Sequence, residues 1–153
     1  MNHHTELDTP SLLGPLDRLA VLAWPLIRIV TGLLLIPHGA QKLFGWFGGY
    51  GLSATGQFFE TSLNMSPGIL WAALAGGVEF FAGIALVLGI LTRPAALGVA
   101  IVMAVAMTVH IPQGFFWNNG GYEYPLMWGL LAVAILLRGG GAYSLDAKLG
   151  LRI

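Results

Sequence analysis

The chain has no cysteine among its 153 residues. A disulfide, a thiolate metal site and an intrinsic dithiol are therefore excluded, and any thiol redox chemistry would have to come from a partner. Charge is almost as scarce: Asp, Glu, Lys and Arg make up 9% of the residues, seven acidic against seven basic. With no net charge there is no electrostatic footprint for a nucleic acid, and none is expected as a partner. The ExxH pattern of a di-iron bundle and the HxxxH pair of a helical zinc site are both missing. No Lys or Arg precedes Arg18, so the basic start of a cleaved secretory signal is lacking and no such signal is expected.

What is present is apolar. Hydrophobic residues make up 56% of the chain, and the mean hydropathy of +0.77 is far above what the core of a soluble domain requires. One lipid-embedded, all-α domain is expected, a bundle of four transmembrane helices. Residues 1–18 read as a polar tail broken by Pro10, Gly14 and Pro15, in which His3 and His4 are incidental. Residues 19–138 form the membrane domain, and 139–153 a short cytoplasmic tail released by a run of three glycines.

The first span carries the polarity. From Pro25 to Gly45 the chain is apolar yet holds Arg28, His38 and Lys42. At 100° per residue, His38 lies about 80° and Lys42 about 40° from Arg28. Each ionised group near the bilayer centre costs roughly 2.5–3.5 kcal/mol, so the shared side should face other helices or a wet cavity. A helix from Leu16 to Gly45 would be about 45 Å long against a core near 30 Å, so it must tilt or bend at Pro25. Pro37 predicts a second bend, because it leaves the Leu33 carbonyl without its helical donor.

Residues 46–66 read as a loop in which Ser53 to Leu63 forms a surface helix, with Phe58, Phe59 and Leu63 turned inward and Glu60 wet or leaning over the bundle mouth. Pro67 opens the second span, which contains Glu79 near its middle. Ala72, Ala75, Gly76, Ala82 and Gly83 share that face and permit close helix approach, either within the bundle or in a homodimer. The third span runs from Ala95 to Ile111 with His110 at its end, and the fourth from Tyr122 to Arg138 with Glu123 in its first turn. An even number of spans gathers Arg18, Arg93, Arg138, Lys148 and Arg152 on one side and leaves Lys42 on the other, which places both termini in the cytoplasm.

The polar residues then form a ladder. Lys42, His110 and Glu123 are expected near the outer boundary, His38 about 6 Å deeper than Lys42, Glu79 at the midplane and Arg28 in the inner third. Arg28 either snorkels to the interface or pairs with Glu79. Glu79 is either a neutral acid bonded to a helix carbonyl or a contact for a proton or ligand. His38, Lys42, His110 and Glu123 either make interhelical hydrogen bonds or converge on an outward-opening pocket. Glu123 would be the third ligand if His38 and His110 held a metal, and two histidines on separate helices could in principle hold a haem; both fit less well than a flat organic ligand such as a quinone. The aromatic residues Trp46, Phe58, Phe59, Trp71, Phe115, Phe116, Trp117 and Trp128 suit an interfacial belt, and also the wall of a cavity for such a ligand.

Arg28, Gly32, His38-Gly39, Lys42-Leu43 and Gly45 read as R-x3-G-x5-HG-x2-KL-x-G, followed by E-x3-G-x5-G-x3-R at Glu79, Gly83, Gly89 and Arg93, then His110 and Glu123-Tyr124. This combination resembles the DoxX family of small four-helix membrane proteins, and the resemblance covers nearly all of residues 18–146. It implies a four-helix bundle in the prokaryotic inner membrane. It also implies redox work, since relatives share their name with thiosulfate:quinone oxidoreductase subunits or associate with quinone stress and membrane oxidoreductase complexes.

Two functions follow as expectations. In the first, the chain is a membrane component of an oxidoreductase that handles a quinone-like or small reduced substrate. His38, Glu79 and His110 would handle protons, while Arg28, Lys42, Glu123 and Tyr124 would hold the ligand or charge, beside a soluble or membrane oxidoreductase partner. In the second, it is a non-catalytic scaffold whose buried charges fix helix packing.

Overall fold

The computed structural model describes residues 14–151, so most of the expected polar tail, including His3 and His4, lies outside the described residues, as does Arg152. Every regular element among the described residues is helical. Helix α1 (Gly14–Leu19) passes through a tight 3-10 turn, Ala20–Leu22, into α2 (Ala23–Phe44). The change of helical pitch thus falls just before Pro25, and α2 runs on through Pro37 to a left-handed cap at Gly45. Helix α3 (Gly51–Ser62) comes next, then α4 (Gly68–Leu88), α5 (Thr92–His110), α6 (Glu123–Arg138) and a single turn, α7 (Leu145–Lys148).

Three stretches are long and apolar enough to cross a bilayer: Leu16–Phe44, Gly68–Leu88 and Thr92–Gln113. The fourth helix, α6, has 16 residues and a length of about 24 Å, short of a hydrocarbon core of about 30 Å. The outward faces match a lipid setting. Leu26, Leu33, Leu34, Leu74, Ile101, Leu130 and Leu137 are all exposed, a larger apolar surface than a small domain presents to water.

Helices α2 and α4 pack backbone against backbone. A methyl group at Gly39 would collide with the Phe80 amide nitrogen and stand 2.6 Å from the Gly76 carbonyl, and one at Gly32 would collide with the Gly83 carbonyl. Only hydrogen fits there, which is how small-residue faces substitute for hydrophobic burial between helices in lipid. Gly76 and Gly83 are buried in this seam and Ala72 is buried on the same helix, so these three are engaged within the chain. A separate core of Leu35, Leu86, Ala96, Val99, Ala132 and Ile135 joins α2, α4, α5 and α6.

Each end of the bundle is closed by polar groups on helix termini. At one end, α3 leans on α4: the Glu60 carboxylate accepts from the Gly68 amide (3.1 Å) and the Ser66 hydroxyl (3.2 Å), satisfying a free donor of the α4 N-terminus. At the other end, the chain beyond Gly139 folds back instead of extending freely. Trp24 Nε1 donates to the Gly139 carbonyl at 2.9 Å, and Ser144 Oγ accepts from Ala147 to cap α7. Asp146, 4% exposed, accepts from the Leu91 and Thr92 amides at 2.8 and 2.9 Å, and so caps α5 from outside it.

Candidate functional site

The register of α2 on α4 decides which charges meet. Gly32 opposite Gly83 and Gly39 opposite Gly76 set Arg28 level with Val87 and Glu79 level with Ile36. Glu79 is then about 12 Å along the axis from Arg28 and about 9 Å from Lys42, which is within a lysine's reach. Accordingly Lys42 Nζ donates to Glu79 Oε2 at 2.6 Å, with the two side chains 27% and 8% exposed. The expected Arg28–Glu79 pair does not form.

Arg28 neither snorkels nor enters the pocket. It is fully buried and donates to the carbonyls of Leu86, Val87 (3.1 Å) and Tyr143 (2.8 Å). Leu86 and Val87 belong to the last turn of α4, whose carbonyls have no helical donor, and a cation there also meets the negative end of the helix dipole. Arg28 and Asp146 together tie the C-terminus of α4 and the N-terminus of α5 to the folded tail. Burial pushes the Asp146 carboxyl up, but the Thr92 hydroxyl, the Thr92 and Leu91 amides and the Arg28 guanidinium outweigh it and hold the group below its ordinary range.

Glu79 owes its position to a local irregularity. Residues Val78–Ala82 form a π-helical turn inside α4, with Glu79 at its start. A π turn widens the helix by one residue and rotates the residues beyond it, and such turns recur where a side chain must be aimed at a function. Here it faces a cavity of about 570 Å³ bounded by α2, α3, α4, α5 and α6, a volume within the range of roughly 300–1,000 Å³ usual for small-molecule sites.

His38, Lys42, Glu79, His110 and Tyr124 supply the cavity's polar groups, and Phe58, Phe59, Leu63, Trp71 and Trp128 much of its apolar wall. Phe59 and Leu63 are turned inward as expected from sequence, Leu63 just past the end of the surface helix α3, whereas Phe58 lines the cavity while 52% exposed. The eight aromatic residues therefore divide. Phe58, Phe59, Trp71 and Trp128 line the cavity, Phe58 and Trp71 while also exposed on their outer side; Trp46, Phe115, Phe116 and Trp117 do not line it and are exposed, as a belt requires. Tyr124 belongs to both, since it lines the cavity while stacking on Trp117 at 5.6 Å.

Chemical roles can be read from the hydrogen bonds. Nδ1 of His110 lies 2.6 Å from the Gly120 carbonyl; a carbonyl only accepts, so Nδ1 carries the proton and Nε2 of the neutral ring is an acceptor. Lys42 gives one of its three donors to Glu79 and keeps two. The cavity thus offers a donor at Lys42 and an acceptor at His110. Glu123 stands apart from it: its carboxylate accepts from the Trp117 amide at 3.1 Å and pins the loop before α6. The expected grouping of Glu123 with His38 and His110 is not found, and among the described residues no three His, Cys, Asp or Glu side chains gather as a metal site.

The DoxX family model matches residues 23–111. The chain belongs to the DoxX family. An uncharacterized protein of Haemophilus influenzae is 33% identical over 126 residues, which is 80% of this chain and 87% of its own length. A second uncharacterized protein of the same organism is 30% identical over 89 residues, 58% of this chain and 59% of its own. No solved structure matches. Within this DoxX chain the matched region holds Arg28, His38, Lys42, Glu79 and His110, while Tyr124 and Asp146 lie beyond it.

Asp146 is not among the site residues expected from sequence. One signal did point to it. The expected four spans would bring the tail to the end of the bundle that holds Arg28, and Asp146 is the tail's one acidic residue, two positions after a serine suited to start a helix. The π turn had no such signal, because Val78–Ala82 reads as ordinary apolar helix.

Proposed function

We propose that this protein is a four-span inner-membrane component, with both termini cytoplasmic, whose cavity binds a flat quinone-like or small reduced molecule on behalf of an oxidoreductase. The single observation behind this reading is the cavity itself: a largely apolar chamber of about 570 Å³ whose few polar groups are His38, the Lys42–Glu79 pair, His110 and Tyr124. Ligands of this class carry oxygens on opposite edges of an apolar ring. The spare donors of Lys42 suit a carbonyl oxygen, and Nε2 of His110 suits a hydroxyl. Proton acceptors at both edges of an apolar site are what oxidation of a quinol requires of its surroundings. Electron transfer would belong to the partner.

The test is direct binding. Trp71 and Trp128 line the chamber, so a benzoquinone in the site should quench their fluorescence in purified protein reconstituted in nanodiscs. His38→Ala and Glu79→Gln should weaken that quenching by about tenfold or more, the loss of one to two hydrogen bonds to charged or polar partners. Quenching indifferent to both substitutions would sink the proposal.

A specific observation favours the scaffold reading for one residue. Arg28 donates to carbonyls at a helix end and in the tail and is remote from the chamber, so its charge serves the packing of α4 and the tail. The two readings therefore apply to different charges of the same helix.

A further inference from the structure

On its α4–α5 side the chamber is separated from the outside of the bundle by only a few side chains. Helix α5 packs on the second half of α4, from Val78 onward, and the two helices part towards Gly68. Beside that gap Leu74, Val78, Gly98 and Ile101 line the chamber, and Leu74 and Ile101 are 50% and 56% exposed. Three of these residues, Leu74, Val78 and Gly98, also line a second depression of about 330 Å³ on the outside of the bundle. This shallow groove continues along the α4–α5 seam past Ala73, Gly77, Phe81, Pro94 and Ala95 and carries no charged or hydrogen-bonding side chain. Chamber and groove thus back onto the same three residues, the chamber carrying the polar groups on its inner side and the groove apolar along its length.

We infer that the ligand is a membrane-dissolved amphiphile with a flat polar head and a single hydrocarbon chain, which enters sideways between α4 and α5 and lays its chain in the groove. This rests on the proposed function for the head and adds the chain and the route. The groove's floor explains its depth: a side chain at Gly77 would meet nothing within 4 Å, and one at Gly98 only the methyl groups of Val78. Glycine is not required at Gly77 by packing or by backbone, since its φ of −63° is helical. Its small size leaves the groove open. The same fact makes Gly77→Leu a substitution that fills the groove without disturbing a helix contact, and Gly77 does not line the chamber.

The experiment uses the full chain in nanodiscs and a benzoquinone bearing a decyl chain with a terminal diazirine. Photolysis should label peptides spanning Ala73–Ala82 and Pro94–Gly98, and excess unlabelled decyl-quinone should remove the label. Gly77→Leu should lose this competable labelling while quenching by a chainless benzoquinone is unchanged; Ala73→Leu, also in the groove alone, provides a second blocked variant. Labelling spread over all the lipid-facing helices, or groove labelling that excess ligand does not displace, would mean that the chain lies in bulk lipid or that a bilayer lipid fills the seam. Either outcome overturns the inference and leaves the head site standing. If the chainless quinone fails to quench the unaltered protein, the proposed function falls, and the inference with it.

Discussion

At the scale of single residues, the two buried charges outside the chamber act on helix ends rather than on a ligand. Asp146 accepts two amides at the start of α5, and Arg28 donates to three carbonyls at the end of α4 and in the tail. Both are shielded by immediate neighbours but lie near the end of the bundle, so the relevant scale is that of hydrogen bonds to charged groups, about 1.5–3 kcal/mol, rather than full desolvation of an ion. Asp146→Asn is expected to lower stability by about 2 kcal/mol, read as a lower midpoint in detergent unfolding. The carboxyl's folded pKa lies below its unfolded one, so its contribution is present above the unfolded value of about 3.9 and is lost as pH falls through the folded value. The unaltered protein should therefore lose stability below about pH 4, and Asp146→Asn should flatten that segment of the profile. An acid limb identical in the two proteins would show that Asp146 is not the group responsible.

At the scale of elements, the α2–α4 seam is where sequence and structure can be compared most closely. The small residues of α4 announced a close helix approach, and Gly76 and Gly83 are indeed buried there. Their partners Gly32 and Gly39 were visible as glycines but not as a register, because several offsets of two small-residue helices look equally good one helix at a time. Only the paired contacts place Glu79 beside Lys42 and Arg28 beside Val87. The same limit applies to the site. The residue types His38, Lys42, Glu79, His110 and Tyr124 were legible as polar groups in an apolar setting. Their grouping, with Arg28 and Glu123 outside it, depended on the register and on a π turn that no residue in Val78–Ala82 advertises. The seam can be tested by paired substitutions. Gly39→Ala drives a methyl group into the Phe80 backbone nitrogen, and overpacking of this kind costs about 1–3 kcal/mol. Gly77→Ala, in open space on the same helix system, should be neutral or stabilising by roughly 0.5–1 kcal/mol, the helix preference of Ala over Gly. Thermal melting of the two variants in one detergent should separate them clearly, and equal melting points would refute the backbone-to-backbone seam.

At the scale of the whole molecule, the topology turns on whether α6 crosses the membrane. Its 16 residues are short for a span, yet three features argue that it does. It shares the buried core through Ala132 and Ile135, exposes Leu130 and Leu137 on its outer side, and ends at Arg138, whose guanidinium lies 4.6 Å over the Trp24 ring. A cation over an indole at a helix end suits a membrane interface, where the ring is half in lipid and the charge remains wet. Arg93, Arg138 and Lys148 all sit at this end, and Lys42 at the other. A three-span chain would put the C-terminus across the membrane from the start of α2, whereas Tyr143 accepts from Arg28 and Asp146 donates to Gly89 at the end of α4, which supports the proposed fourth span. Four spans with both termini cytoplasmic satisfy the charge bias and these contacts together. Reporter fusions in bacteria check it: a fluorescent protein at the C-terminus should glow, alkaline phosphatase at the same place should be inactive, and phosphatase inserted in the loop between α5 and α6 should be active. An active phosphatase at the C-terminus would remove the fourth span, and with it the wall on which Tyr124 and Trp128 close the chamber.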